Sequence, residues 1–323
     1  MKKTRVGIVN VTGYAGVELA RLLSRHPEVE LVSVTGRSSA GKKLEEVFPH
    51  LCGSGLNIEA ALGDVDTAFL AMPHKESAAE ALPLLEKGVR VIDISADFRL
   101  KDAAAYPQWY GFAHPAPQKL AEAVYGLPEL YREKIAAARL IANPGCYPTS
   151  AILAMAPAVK AGIAGSHVII DSKSGVSGAG RSLNIKTHYA EANDDTCAYA
   201  LEGHRHLPEI VQELAFLQPQ QRQEITFVPH LIPMTRGILT TAYAPLSTKK
   251  TADEVMRIYR DFYKDEPFVK VVENPPHTKH TWGSNMCFVH PAIDSRTGRL
   301  VVISVIDNLV KGAAGQALSL IHI

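Results

Sequence analysis

Val6-Gly7-Ile8-Val9-Asn10-Val11-Thr12-Gly13-Tyr14-Ala15-Gly16 decides the fold. A short apolar run leads into a glycine-bearing turn, and Val17, Leu19, Ala20, Leu22 and Leu23 then follow, mostly at helical spacing. That is strand, turn and helix. A second apolar run, Leu31-Val32-Ser33-Val34, comes at the distance a βαβ unit requires, so the segment opens a dinucleotide-binding fold. At Gly13, Tyr14, Ala15 and Gly16 the backbone would come close to a pyrophosphate, whose charge rests on the helix N-terminus. A plain tight turn is the competing reading of the glycines, and the flanking strand and helix weigh against it.

The end of the second strand bears on the nucleotide. An Asp or Glu there would take the ribose 2′-hydroxyl of NAD, whereas Thr35-Gly36-Arg37-Ser38-Ser39-Ala40-Gly41-Lys42-Lys43 is followed by no carboxylate until Glu45. Arg37 with the hydroxyls of Ser38 and Ser39 suits a 2′-phosphate, which favours NADP. Strands at 67–71 and 89–94, with a helix over about 76–87 between them, continue a parallel, doubly wound α/β pattern. Ligands of such sheets bind beyond the carboxyl ends of the strands, so Met72-Pro73-His74, Ser95 and Arg99 fall where cofactor or substrate would lie. Arg99 reads either as a phosphate clamp or as a surface arginine paired with Asp97 or Asp102. A loop carrying Tyr106, Trp109, Tyr110 and His114 follows.

Leu140-Ile141-Ala142 is a further strand, and it delivers Asn143-Pro144-Gly145-Cys146-Tyr147-Pro148-Thr149. Pro148 fits a first helical turn, and a mainly apolar stretch runs on to about Ala161, so Cys146 sits where a tight turn becomes a helix. The unpaired N–H groups there favour a thiolate and suit an oxyanion formed on whatever the sulfur attacks. The alternative is a buried, inert small hydrophobe.

Beyond His167 the composition changes to strands with a few helices. Strands are expected at 167–173, 226–231, 239–244, 270–272, 286–290 and 300–306, and helices at 208–217 and 251–263. This describes an α+β second domain on a largely antiparallel sheet. Ser172-Lys173-Ser174-Gly175-Val176-Ser177-Gly178-Ala179-Gly180-Arg181 has the make-up of an anion or nucleotide cradle, and equally of a flexible surface loop. Gly203-His204-Arg205-His206-Leu207-Pro208-Glu209-Ile210 offers two proton acceptors for the thiol just ahead of a helix. A zinc site built on His204, His206 and a cysteine is the sharp alternative, but no second cluster stands at ligand spacing, so no metal is expected. Asp307 to Gln316 looks like the start of a helix leading back toward the first domain.

Composition sets the outer limits. With 323 residues, 46% hydrophobic and 21% charged, the chain is long enough for two domains, and its formal net charge of +1 argues against nucleic acid as a partner. No run of 18 apolar residues is present, so no membrane partner is expected. The four scattered cysteines lack any Cys-x-x-Cys pattern, which fits a reducing compartment and predicts a cytoplasmic protein.

Taken in order, the glycine turn, NPGCYPTS (143–150), SKSGVSGAGR (172–181), GHRHLPEI (203–210) and DNLVKGAAGQA (307–317) resemble the N-acetyl-gamma-glutamyl-phosphate reductase family of arginine biosynthesis. AMPH (71–74), ISADFRL (94–100) and VYGLPEL (124–130) carry the same resemblance, which runs from residue 5 to about 318. It implies a Rossmann-type NADP-binding domain over 1–145, completed by a C-terminal helix over 307–323. An α+β catalytic and oligomerisation domain over 146–306, related to aspartate-semialdehyde dehydrogenase, would follow. It also implies a small-molecule acyl-phosphate substrate and a homo-oligomer, dimer or tetramer. Residue by residue, Cys146 becomes the nucleophile, Asn143 a neighbour that holds its geometry, and His204 or His206 the acid/base group, with His204 slightly preferred. Gly13 and Gly16 match the pyrophosphate turn, and Asn308 with Gly312 a segment that approaches the nicotinamide. Pro73, Ser177 and Gly178 are further cofactor candidates, and Arg99 and Ser174 substrate candidates.

Two features depart from the family's pattern. Asn10 stands where a glycine is usual, and its side chain would crowd the pyrophosphate unless the turn directs it elsewhere; asparagine does tolerate positive φ. The sequence also stops at Leu318-Ser319-Leu320-Ile321-His322-Ile323, short of the longer helix expected, so some apolar packing on the first domain would be missing. Rival readings are an aspartyl- or aminoadipyl-phosphate reductase of the same chemistry and a non-catalytic NADP-binding module.

Overall fold

A strand buried on both faces belongs in the middle of a parallel sheet, and the last four residues of β1 (Thr4–Val9) are all buried. In the computed structural model, which describes residues 3–221 and 223–321, β1 is the third strand of a seven-stranded sheet. Its other members are β2 (Val29–Thr35), β3 (Ile58–Glu59), β4 (Thr67–Leu70), β5 (Arg90–Asp93), β6 (Val124–Tyr125) and β7 (Leu140–Ala142). The order is β3-β2-β1-β4-β5-β7-β6, and every pair is parallel. One apolar cluster joins Val6 and Ile8 to Leu19 and Leu23 of the helix Tyr14–Leu23 and to Ala317 of the helix Gly315–Ser319. A second cluster joins Val9 and Leu70 to Ala78 and Ala81 of the helix Ser77–Glu86. Helices on both faces make this the expected doubly wound architecture.

The chain divides into two units, one running to Pro144 and resuming at Ala313, the other spanning Gly145–Gly312. The segment expected to complete the first domain from residue 307 therefore joins it at Ala313. Asp307 and Asn308 are held within the second unit instead, Asp307 Oδ2 accepting from the Gly283 amide and Asn308 Oδ1 from the Gly237 amide. A π-helical turn, Val310–Ala314, precedes the short helix Gly315–Ser319. Residues 322–323 of the expected C-terminal helix lie outside the described residues.

The second unit is built around the helix Cys146–Lys160, buried continuously from Tyr147 to Val159. Such a helix is apolar all round because it has cover on every side. Its backbone carbonyls still take partners: Tyr259 and Tyr263 hydroxyls donate to Ala154 and Leu153 at 2.8 and 2.6 Å. Part of the cover is a seven-stranded sheet made of β8 (His167–Gly175), β9 (Cys197–Ala198), β10 (Glu224–Ile232), β11 (Ile238–Pro245), β12 (Val269–Val271), β13 (Cys287–Asp294) and β14 (Arg299–Ile306). The order is β12-β13-β14-β11-β8-β10-β9. Four neighbouring pairs are antiparallel, while β10 with β8 and β12 with β13 are parallel.

Two local expectations change. Residues 105–110 form a helix, Ala105–Tyr110, ended by Gly111 at φ 72°, because Tyr106 and Tyr110 are buried in an aromatic cluster with Phe112 and His114. Ser172 to Gly175 are the end of β8 rather than loop, and a 3₁₀ turn, Val176–Ala179, follows. No helix among the described residues is long and apolar enough to cross a membrane.

Candidate active site

In the second unit the turn that leads into Cys146 is held by hydrogen bonds at both ends. Gly145 is extended (φ −66°, ψ 154°) and caps the helix that Cys146 begins. The Gly145 amide donates to Glu209 Oε1 at 2.8 Å, and the Gly145 carbonyl accepts from the amide and hydroxyl of Thr149, each at 2.9 Å. Pro148 contributes no N–H, and the Gly145 N–H is engaged. Cys146 is half-buried, and none of the four cysteines is in a disulfide.

Glu209 is fully buried, and sequence reasoning passed over it. It stands third in the helix Leu207–Leu217, where a glutamate ordinarily caps its own helix, so only the pairing with Gly145 reveals its use.

The histidine pair meets the same helix. The rings of His204 and His206 lie edge to face with centroids 4.8 Å apart, and each packs against Tyr147, at 5.6 and 5.9 Å. The His206 amide donates to His204 Nδ1 at 3.1 Å, and His204 Nε2 lies 3.4 Å from the Tyr199 hydroxyl. Tyr199 donates to the Tyr147 hydroxyl at 3.2 Å, and Tyr147 donates to the His230 carbonyl at 3.0 Å. Burial, assisted by the Arg205 charge, pushes the His204 pKa down to about 4, so this imidazole is neutral near pH 7. Burial pushes the Tyr199 phenol up to about 12 and Tyr147 higher still, and the charge of a Cys146 thiolate adds to both shifts.

Other expected residues gather in this unit. Asn308 accepts from the Gly237 amide at 2.7 Å and donates to Ser177 Oγ at 2.9 Å, so its amide group braces two loops. Ser174 is buried and donates to the Gly175 carbonyl at 3.0 Å, and a Cβ at Gly178 would fall 2.9 Å from its Oγ. At Gly312 a Cβ would fall 2.8 Å from that of Cys146, so the close approach of these two segments requires a glycine there. Among the described residues no group of His, Cys, Asp and Glu is arranged to hold a metal ion.

In the first unit the turn after β1 keeps its form with Asn10 in it. Asn10 takes φ 65°, and its Nδ2 donates to the Ala71 carbonyl at 2.9 Å while its Oδ1 accepts from Thr12 Oγ at 3.2 Å. The side chain is thereby tied to the next strand's end, which answers the crowding expected of it. Gly16 admits no side chain, since a Cβ there would meet the Asn10 carbonyl oxygen at 2.6 Å. A Cβ at Gly13, by contrast, meets nothing within 4 Å, and no side chain caps the helix that starts at Tyr14. The open helix start from Gly13 through Tyr14 and Ala15 to Gly16 fits a pyrophosphate. Arg37 begins a 3₁₀ turn, Arg37–Ser39, at the end of β2, and pairs with Glu76 at 2.5 Å while remaining largely exposed. Pro73 is exposed beyond the end of β4.

Past the ends of β5 and β7 lies a buried polar network. Arg99 Nε donates to the Asn143 carbonyl and its Nη2 to the Ile94 carbonyl, both at 2.8 Å, and the Asn143 amide donates to the Asp93 carbonyl at 2.7 Å. Arg99 is therefore a buried anchor of the Asn143 backbone rather than a surface arginine. Asp93 is fully buried and accepts from Ser77 Oγ at 2.5 Å and Ser95 Oγ at 2.7 Å. Burial, reinforced by Asp97, pushes its pKa up to about 6.

Comparison with known proteins follows the same division. Residues 5–138 match the family model "Semialdehyde dehydrogenase, NAD binding domain", and 146–308 match "Semialdehyde dehydrogenase, dimerisation domain". The fold is shared with aspartate semialdehyde dehydrogenase II of Vibrio cholerae in complex with ASA (TM-score 0.77, 18% identity, 100% of this chain and 98% of that one). It is shared too with the Candida albicans aspartate semialdehyde dehydrogenase with NADP (TM-score 0.75, 15% identity, 99% and 98%). Sequence similarity is much higher elsewhere. The N-acetyl-gamma-glutamyl-phosphate reductase of Dehalococcoides mccartyi (strain CBDB1) is 62% identical over 324 residues, covering 100% of this chain and 95% of the relative. That of Symbiobacterium thermophilum is 50% identical, covering 97% and 92%. With both domain models matched in order and such identity along its whole length, the chain belongs to the N-acetyl-gamma-glutamyl-phosphate reductase family.

Proposed function

We propose that this chain reduces N-acetyl-L-glutamyl 5-phosphate to N-acetyl-L-glutamate 5-semialdehyde with NADPH, through a thioester on Cys146. The observation that carries the reading is the placement of Cys146 as first residue of a buried helix, next to a tyrosine that packs against both histidines. His206 is the acid/base group, because both ring nitrogens of His204 are already engaged, one by a backbone amide and one by Tyr199.

His206 takes the thiol proton as the sulfur attacks the acyl carbon. The oxyanion rests on the Tyr147 amide at the positive end of the helix, and the bond to phosphate breaks to leave a thioester. When bound, NADPH supplies the hydride that reduces the thioester carbon. Protonated His206 then returns its proton to the sulfur as the semialdehyde departs. Gly13, Tyr14, Ala15 and Gly16 hold the pyrophosphate; Arg37, Ser38 and Ser39 meet the 2′-phosphate; Pro73 borders the nucleotide. Arg99 fixes the Asn143 backbone. Ser174, at the end of β8, Ser177, Gly178 and Asn308 form one braced cluster. In the reverse direction, N-acetyl-glutamate semialdehyde with phosphate should reduce NADP well and NAD poorly. Phosphate-independent turnover, or a preference for aspartate semialdehyde, would refute the assignment.

A homo-oligomer through the second unit is part of the same reading. Ile169, Tyr243, Val301 and Ala292 stand opposite one another across four strands, an apolar row on the sheet face turned away from the buried helix, with Ile169 40% exposed. Light scattering on the purified protein should give a dimer or tetramer, and a monomer at micromolar concentration would count against it. That Cys52, Cys146, Cys197 and Cys287 form no disulfide suits a reducing compartment, the cytoplasm.

A further inference from the structure

The hydrogen bonds around His204 have a fixed direction, and the direction is set by backbone groups at both ends. A backbone N–H can only donate, so His204 Nδ1 accepts from His206 and carries no proton. A backbone carbonyl can only accept, so the Tyr147 proton points to His230. The Tyr199 proton is then directed to the Tyr147 oxygen, and the lone pair left on Tyr199 faces His204 Nε2, which must be the protonated nitrogen. The chain reads His206 N–H to His204, His204 to Tyr199, Tyr199 to Tyr147, and Tyr147 to the His230 carbonyl in β10. We propose that Tyr199 is a positioning residue for the reaction: its hydroxyl closes this chain, locks His204 in the Nε2–H tautomer, and so fixes the backbone from which His206 reaches the thiol.

Tyr199 follows β9, a strand of two residues that pairs among the described residues with β10 alone. Its amide donates to the Pro229 carbonyl at 3.1 Å, which leaves the hydroxyl to make the longer connection to the histidine loop. The depressed His204 pKa agrees, since an imidazolium would have to give up the bond it accepts from His206. Each group in the chain has one role, and removal of any middle link breaks the whole.

This inference rests on His206 as the acid/base group, so the test separates the two. Tyr199→Phe should lower kcat by about tenfold or more with KM changed less than about threefold, as expected of a misplaced catalytic group. Tyr147→Phe should do the same, and the double variant should be no worse than the poorer single, because both cut one chain. Imidazole nitrogen and carbon shifts of His204 at pH 7 should show the Nε2–H tautomer in the wild type and a mixture in Tyr199→Phe. Wild-type kcat in a folded Tyr199→Phe enzyme, with His206→Asn inactive, would overturn the role of Tyr199 and leave the base in place. Full activity in His206→Asn would overturn both. Finding the Nδ1–H tautomer in the wild type would overturn the proposal even if Tyr199→Phe failed to fold.

Discussion

Gly312 lies directly against Cys146: a Cβ on the glycine would come within 2.8 Å of the cysteine Cβ and 3.3 Å of its Cα. Real Cβ atoms do not approach so closely, so either the π-helical turn at Val310–Ala314 or the start of the helix Cys146–Lys160 would have to move. Gly312→Ala should therefore lower kcat by about tenfold or more while the protein stays folded, because a shift of a fraction of an ångström is enough to misplace a nucleophile. Steady-state kinetics beside a thermal melt checks this. Unchanged kcat would mean that the contact relaxes harmlessly.

The two histidines should separate by their kinetics and by their pH dependence. His206→Asn should lose about 10²- to 10⁴-fold in kcat/KM, the usual range for a general acid/base. His204 has its own signature in stability. Its folded pKa, pushed down to about 4, lies below the unfolded value of 6.5, so between these limits the unfolded chain binds more protons and stability rises with pH. The contribution is fully present above pH 6.5 and lost as pH falls through 4. His204→Asn should remove that slope in urea melts across the window, and a slope that persists would assign it to another group.

Asp93 should act in the opposite sense. Its folded pKa, pushed up to about 6 by burial and by Asp97, exceeds the ordinary aspartate value of 3.8, so its stabilising share is present below 3.8 and lost as pH rises through 6. The change amounts to roughly 3 kcal/mol, about 1.4 kcal/mol for each pKa unit. Asp93→Asn should flatten the fall in stability over that range and leave a steeper net rise from His204. Denaturant melts at pH 4, 5 and 6 measure both slopes together.

For the cofactor turn, Gly16→Ala drives a methyl group into the Asn10 carbonyl and the Val11 backbone, with contacts of 2.6 and 2.8 Å. Backbone atoms cannot step aside as a flexible side chain can. NADPH affinity should fall about tenfold or more, which fluorescence titration would detect, if the proposed pyrophosphate site is this turn. An unaltered affinity would place the pyrophosphate elsewhere.

The sequence foretold this fold well where short-range patterns rule. Leu140-Ile141-Ala142 appears as β7 without change, and the apolar runs near Thr67 and His167 become strands with ends moved by one or two residues. Patterning failed where tertiary packing overrode it, as in Ala105–Tyr110, whose proline and polar neighbours suggest a loop until the aromatic cluster is seen. The site divided in the same way. Cys146, the histidines and the glycines stand in recognisable local contexts, but Glu209 and Tyr199 bond to partners 64 and 52 residues distant, and no periodicity marks such a bond. Asn10 shows the reverse: it looked like a fault in the glycine turn until its amide was found on Ala71.

The most direct measurement concerns the sulfur. Cys146→Ala should bind NADPH with nearly the affinity of the wild type, yet show no phosphate-dependent reduction of NADP by N-acetyl-glutamate semialdehyde and no acyl-enzyme on mass spectrometry after mixing with the acyl phosphate. Appreciable turnover by that variant, or acylation at Cys52, Cys197 or Cys287 in the wild type, would contradict a thioester at Cys146.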